Sequence, residues 1–306
     1  MKIAVLGPGG VGGLVAAALE QAGNEVVVVA QEPTVAVIAE QGLVVESVKF
    51  GELVSRPRAV AALQEPVDAL LVATKAAGLS AALERIETAP TLVLPLLNGL
   101  DHIAVLRERF APESVLAGAI RVEADRPRPG VVVHTSPFLL VTMASAEPSV
   151  ATAMQELAAT LSQAGVPARV LDSEAEVMWS KLVRLNALAC ATSAYDELLG
   201  QIRSTPQAQA DLQGAIEEAA AVAVAEGAAE VDVAATLAEV ARIPDTFGTS
   251  MQRDIAAGRE PELDAIPGSV LRAAARHGIP CPTIERLVSM IAARIHVPPP
   301  IPDSPA

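Results

Sequence analysis

A chain of 306 residues, 51% apolar and only 2% aromatic, can fill two cores with Ala, Val and Leu and is not of disordered composition. Its net charge of −14 argues against nucleic acid and anionic membranes as partners, since both need basic surface, but leaves small anionic substrates open. Cys190 and Cys281 have no metal or redox spacing and read as reduced, buried thiols of a cytoplasmic protein. The histidines (His102, His134, His277, His296) form no ligand pair, so no metal site is expected, and no apolar run is long enough to span a bilayer. With a strand expected from Lys2, no signal peptide is expected before it.

In chain order, Lys2, Ile3, Ala4, Val5 and Leu6 form an apolar run suited to a strand buried on both faces of a parallel sheet. Gly7, Gly9 and Gly12 follow in the spacing G-x-G-x-x-G, and an Ala-rich helix is predicted over 14–22. One glycine permits a tight turn, the second lets backbone approach a pyrophosphate, and the third lets helix pack on strand. The anion then sits on the unpaired N–H groups of the helix start. A second strand is predicted from Glu25 to Val29, a helix over 33–41, and short β-like runs over 43–59. Buried strands over 67–73 and 91–96 lead into Thr74-Lys75 and Asn98-Gly99, with helices over 79–86 and 101–109. A strand over 115–122, a turn over 126–130, and strands over 131–133 and 138–143 come next. This alternation predicts a doubly wound α/β domain. A helix over 147–164 and a last strand over 168–171 close it, which sets the domain boundary near residue 170. The second domain, 171–306, is all-helical, opened by the capping box Ser173 to Glu176. Its further helices are predicted over 194–203, 207–226, 231–242, 250–257, 261–277 and 283–294, followed by an extended Pro-rich tail.

Lysine is scarce: Lys2, Lys49, Lys75 and Lys181 stand against eighteen arginines. Arginine replaces lysine on a solvated surface but does not release a proton near neutral pH. A lysine kept mid-helix at 181, at the margin of a stripe formed by Met178, Leu182, Leu185 and Ala189, is therefore a candidate acid facing a cleft. A snorkelling surface lysine is the plain alternative. Glu262, after Pro261, reads as a carboxylate at a helix start, with capping as its plain explanation. Ser250 carries the same alternative as an N-cap. Asn98-Gly99 sits where open α/β sheets place ligands, with a simple turn as the alternative.

Together these residues resemble the ketopantoate reductase (2-dehydropantoate 2-reductase) family over nearly the whole chain. The matching segments are Gly7-Pro8-Gly9-Gly10-Val11-Gly12, Thr74-Lys75, Leu97 to Leu100, Pro129 to His134, and Trp179 to Leu182. The longest ordered set is Thr249 to Ile255 continuing through Gly258-Arg259 to Glu262-Leu263-Asp264. The resemblance implies a Rossmann-type N-terminal domain, an all-α C-terminal domain, and hydride transfer from NADPH to the ketone of a 2-oxo acid. It implies Lys181 as proton donor, Asn98 at the nicotinamide and substrate, and Ser250 on the substrate carboxylate. Glu262 would orient the substrate, the lysine or the nicotinamide ribose. The cofactor set is Gly7 to Gly12, Gln31, Thr74, Lys75, Asn98, Ala124 and Glu262, and a homodimer is the implied assembly.

Two positions depart from the family. Gln31-Glu32 stands where an arginine usually meets the 2′-phosphate of NADPH, which leaves NAD as the alternative cofactor, with Arg58 or Lys75 to compensate. Leu185 and Ala189 stand four and eight residues after Lys181, where the family places asparagines; Leu199 stands at a third such position. Asn186 lies about 140° around the helix from Lys181 and does not replace them. An apolar wall here predicts a 2-oxo acid or related carbonyl compound with a less polar tail. True 2-dehydropantoate 2-reductase activity in pantothenate synthesis, and a non-catalytic dinucleotide sensor, are the alternatives.

Overall fold

The computed structural model describes residues 1–300; the tail predicted as extended lies partly outside them. The chain divides into two units. The first comprises Met1–Leu97 and His102–Val177, and the second Asn98–Asp101 and the described residues from Met178 on. The division therefore falls at Val177 instead of near residue 170, and four residues after Leu97 belong to the second unit. The shift at 170 has a local cause. Glu174 accepts both contacts from Arg107 Nη2 at 2.8 Å, which fixes the first turn of the next helix to the first unit.

The first unit is built from β1 (Lys2–Leu6), α1 (Gly10–Gln21), β2 (Glu25–Val29), α2 (Glu32–Gln41), β3 (Leu43–Ser47), β4 (Gly51–Ser55), β5 (Arg58–Val60) and β6 (Ala69–Val72). It continues with α3 (Leu79–Leu83), β7 (Leu92–Pro95), α4 (His102–Arg109), β8 (Ala117–Arg121), β9 (Ala124–Arg128), β10 (Val131–His134), β11 (Leu140–Ala144), α5 (Ala151–Gln163) and β12 (Ala168–Val170). Five strands pair in parallel in the order β5-β2-β1-β6-β7. Residues 3–6 and 69–72 are at most 1% exposed, as continuous apolar runs require when both faces of a sheet are covered.

The later strands do not extend that sheet. Strands β8, β11 and β12 form a three-stranded sheet, while β9 and β10 join β3 and β4 in a mixed four-stranded one. The reason lies in α1, which is buried from Gly12 through Leu19. A helix that is apolar all round needs cover on every side. The second sheet supplies it, with β9, β10, β3 and β4 packed against α1. The turn predicted over 126–130 shrinks to Pro129-Gly130, because residues 126–128 continue β9. Pro127 is tolerated there since β9 is an edge strand, where a missing N–H breaks no central ladder.

The second unit holds most of α6 (Glu174–Tyr195), then α7 (Leu199–Ser204), α8 (Pro206–Ala225), α9 (Val233–Ala241), α10 (Ser250–Ala256), α11 (Ser269–Arg276) and α12 (Pro282–Ile295). Helix α8 is the centre, packed by α7, α9, α11 and α12. Trp179, the only tryptophan, is 2% exposed on α6. Both cysteines are buried, and burial raises their thiol pKa values, Cys281 to about 12. The helix predicted over 261–277 is divided: Asp264–Gly268 is a π-turn before α11. Pro267 has no N–H to give to Leu263, so Gly268 N donates to the Leu263 carbonyl instead, at 3.1 Å. Among the described residues no helix is long and apolar enough to cross a membrane, and no group of three metal-ligating side chains gathers.

A buried carboxylate ties three of these helices. Asp211 of α8, 2% exposed, accepts from Arg286 of α12 at 2.8 and 2.5 Å, Tyr195 of α6 at 2.7 Å and Gln207 at 2.8 Å. The Arg286 hydrogen bonds hold the Asp211 carboxyl below its ordinary value. Asp211→Asn should lower stability at pH 7 by about 2 kcal/mol, between the cost of an exposed pair and that of a fully buried one, because Arg286 stays half-exposed. A depressed carboxyl stabilises the fold above the unfolded-state pKa and loses that contribution as pH falls through the folded one. The deficit of the variant in thermal melts should therefore shrink as pH drops below 3.8.

Candidate functional site

The G-x-G-x-x-G turn is specified by what a side chain would strike. Gly7 has φ +89°, and a Cβ there would lie 2.9 Å from Thr74 Cγ2. A Cβ on Gly12 would lie 2.2 Å from the Gly7 carbonyl, and one on Gly10 2.2 Å from the carbonyl of Ala124. Ala124 thus closes over the helix start. It is held there by β10, where His134 pairs with it, and by Ser136 Oγ, which accepts Glu123 N at 2.9 Å. His134 is itself buried between Ser47 at 2.8 Å and Ser136 at 3.3 Å, and burial lowers its pKa.

Gly9 differs from the others: nothing lies within 4 Å of a Cβ placed on it. It is the N-cap of α1, with no side-chain cap and no acidic residue in the first turn. The amides of Gly10, Val11 and Gly12 therefore begin a helix whose open side admits an anion, which fits a dinucleotide pyrophosphate. Pro8 is buried beneath the turn, and Thr74 Oγ1 is a buried hydroxyl with no partner among the described residues. Lys75 is exposed after β6. Gln31 caps α2 with an extended backbone and is exposed. Arg58 pairs with Glu65, so it is not the cation beside Gln31-Glu32. Arg85 is, reaching Glu32 Oε1 at 3.3 Å.

In the second unit three predicted residues meet. Lys181 Nζ donates to Asn98 Oδ1 at 2.7 Å, and Asn98 Nδ2 donates to Glu262 Oε2 at 2.9 Å. The amide orientation follows from chemistry, because an ammonium only donates and a carboxylate only accepts. Glu262 is therefore not a helix cap: its carboxylate faces Asn98. Gly99, at φ +85°, lets this happen, since a Cβ there would be 1.9 Å from the Ala265 carbonyl of the π-turn.

Ser250 is not the N-cap of α10 either. Thr249 is, accepting Gln252 N at 3.3 Å, so the exposed Ser250 hydroxyl is not used for capping. Thr249 Oγ1 also meets Thr192 Oγ1 of α6 at 2.9 Å. Thr192 lies eleven residues after Lys181, on the same helix face as Leu185 and Ala189. That face thus runs from the Lys181 cluster to the residue beside Ser250, with half-buried Leu185 and buried Ala189 between. Met178 is half-buried and Leu182 buried, and Asn186 faces the core, where Cys190 Sγ contacts its Oδ1 at 3.6 Å. Sequence reasoning missed Thr192 and Thr249. The adjacent Thr249-Ser250 pair signalled a cap without saying which residue supplies it.

The family models described as "Ketopantoate reductase PanE/ApbA" and its C-terminal counterpart match residues 3–146 and 173–295. Among similar proteins are 2-dehydropantoate 2-reductases of Mycobacterium tuberculosis, 30% identical over 95% of this chain and 97% of that one, and of Halobacterium salinarum, 29% identical over 95% and 98%. The crystal structure of 2-dehydropantoate 2-reductase from Geobacter metallireducens superposes with TM-score 0.88 at 26% identity, over 96% of this chain and all of that one. The ternary structure of D-mandelate dehydrogenase with NADH and anilino(oxo)acetate gives 0.87 at 26%, over 97% and 99%.

Two glycine variants separate fold from ligand. Gly12→Ala should lose both thermal stability and dinucleotide binding, because its Cβ meets backbone at 2.2 Å. Gly9→Ala should melt as the unmodified protein does, yet bind NADPH or NADH at least tenfold more weakly by fluorescence titration, since its methyl enters the anion's space.

Proposed function

The chain belongs to the ketopantoate reductase family, and we propose that it is a nicotinamide-dependent reductase of 2-oxo acids in which Lys181 supplies the proton. The observation that supports this most strongly is the hydrogen-bonded run from Lys181 through Asn98 to Glu262. A bound reduced nicotinamide supplies the hydride. The turn from Gly7 to Gly12, with Thr74, Lys75 and Ala124 around it, holds the dinucleotide. Lys181 Nζ passes a proton to the carbonyl oxygen of the substrate, leaving a neutral amine and a neutral hydroxyl product; solvent then reprotonates the amine. Before transfer the ammonium charge stabilises the developing alkoxide. Asn98 sets the direction of Nζ, Glu262 sets the amide of Asn98, and the Ser250 hydroxyl receives the substrate carboxylate.

The apolar face of Leu185 and Ala189 supports a substrate whose tail is less polar than that of ketopantoate. A missing hydrogen bond to a buried polar group costs about 1–3 kcal/mol, which is roughly 5- to 150-fold. The solved D-mandelate dehydrogenase complex, with a ligand that carries a phenyl group, accords with this. NADPH is the proposed cofactor: Arg85 neutralises Glu32 beside Gln31 and offers a guanidinium to a 2′-phosphate. The reading extends to a cytoplasmic homodimer, which light scattering on the eluted protein tests; a 31.4 kDa species would count against it.

With NADPH, 2-oxoisovalerate and phenylglyoxylate should exceed ketopantoate in kcat/KM by tenfold or more, and a reversed order would return the chain to true 2-dehydropantoate 2-reductase activity. Lys181→Ala should cut kcat by about 10²–10⁴ with dinucleotide affinity unchanged. No oxidation of NADPH or NADH with any 2-oxo acid would favour the sensor reading. Arg85→Ala should raise KM for NADPH more than for NADH; equal effects would remove the support for NADPH.

A further inference from the structure

Arg272 lies on α11, outside the set of residues discussed so far. Its Nε and Nη2 donate to Asp101 Oδ2 at 3.2 and 2.6 Å. Its Nη1 donates to Asp264 Oδ1 at 2.8 Å, and Nη2 also reaches the Asp264 carbonyl at 3.0 Å and Oδ2 at 3.3 Å. The arginine side chain is 13% exposed, against 45% and 75% for the two aspartates. A planar guanidinium with donors in a fixed fork can hold two carboxylates and a carbonyl at once, which a lysine ammonium on a flexible stem does not reproduce.

What matters is where those partners sit in the chain. Asp101 is three residues after Asn98, and Asp264 is two residues after Glu262. One side chain therefore ties together the two short segments that carry the amide and the carboxylate of the Lys181 cluster. These segments already touch: Gly99 lies against the Ala265 carbonyl, so the contact sets their separation and Arg272 sets their alignment. All of these residues belong to the second unit.

We propose that Arg272 is a positioning residue, which aligns Asn98 and Glu262 so that the amide is presented to Lys181 Nζ. This rests on the reading of Lys181 as proton donor. Misplacing a reacting group by about 1 Å costs on the order of 10²-fold in rate, so loss of the clamp should show in kcat.

The test compares Arg272→Gln, Arg272→Lys and Asp101→Asn with the unmodified protein. Arg272→Gln should lower kcat 10- to 100-fold while the dissociation constant for NADPH stays within twofold, and Arg272→Lys should restore little. Combined with Asn98→Ala, Arg272→Gln should add less than its own separate loss, because its target is already gone. A merely structural arginine would instead lower the melting temperature and add its full effect. Full kcat in Arg272→Gln, or additivity in the double variant, would overturn the proposal. Should that variant fail to fold, Asp101→Asn removes one anchor at an exposed position and should lower kcat severalfold; unchanged kcat would again overturn it. The side-chain amide resonance of Asn98 gives a readout without turnover, and it should shift in Arg272→Gln. If the unmodified protein reduces no 2-oxo acid, that shift still judges the clamp, and its absence counts against it.

Discussion

The amide of Asn98 is the constraint on which the second unit's arrangement turns. It satisfies a donor and an acceptor of opposite charge at once, with Lys181 Nζ at 2.7 Å and Glu262 Oε2 at 2.9 Å. Asn98 and Glu262 are 164 residues apart, so their meeting has to be enforced by the backbone on both sides. A positive-φ glycine on one side and a proline-induced π-turn on the other achieve it. Neither device does chemistry, yet each fixes the position of a group that the proposed chemistry needs.

The nucleotide turn of the first unit is built on a different principle. Its helix is buried on all sides, so neighbouring backbone sets its position to within a methyl group. Gly10 faces Ala124 and Gly12 faces Gly7, while a methyl on Gly13 would lie 2.6 Å from Val132 Cγ2. The small sheet holding β9 and β10 therefore has a function beyond completing the core. In the proposed function it supplies the wall that would narrow an anion's approach to the side where Gly9 is open.

Local patterns made much of this legible. Strands β1 and β2 follow from apolar runs, β1 with the glycine turn directly after it, and Lys181 stood out because arginine replaces lysine nearly everywhere else. The helical second half was visible in its periodicity. What could not be read depends on contacts distant in sequence. Apolar runs do not say which sheet a strand joins, so β8, β10, β11 and β12 were legible as strands but not as parts of two further sheets, and β9 was read in part as a turn because it is charged and holds a proline. Periodicity does not register a missing N–H, so the π-turn at Pro267 was hidden inside a continuous helical pattern. Threonine and serine cap equally well, so only the folded chain could assign the cap to Thr249 and leave Ser250 available. Arg272 carried no local signal, because an arginine facing two aspartates from other segments looks like any surface helix residue.

Trp179 and Tyr195, the chain's only such residues, both lie in the helical unit, and the tryptophan is shielded from water two positions before Lys181. Ultraviolet emission from the native chain is therefore a reporter on that unit alone, while far-ultraviolet dichroism samples both. Unfolding curves recorded by the two optical signals will coincide only if the units melt as one cooperative block. A gap between them would give each unit's separate stability from a single unlabelled sample.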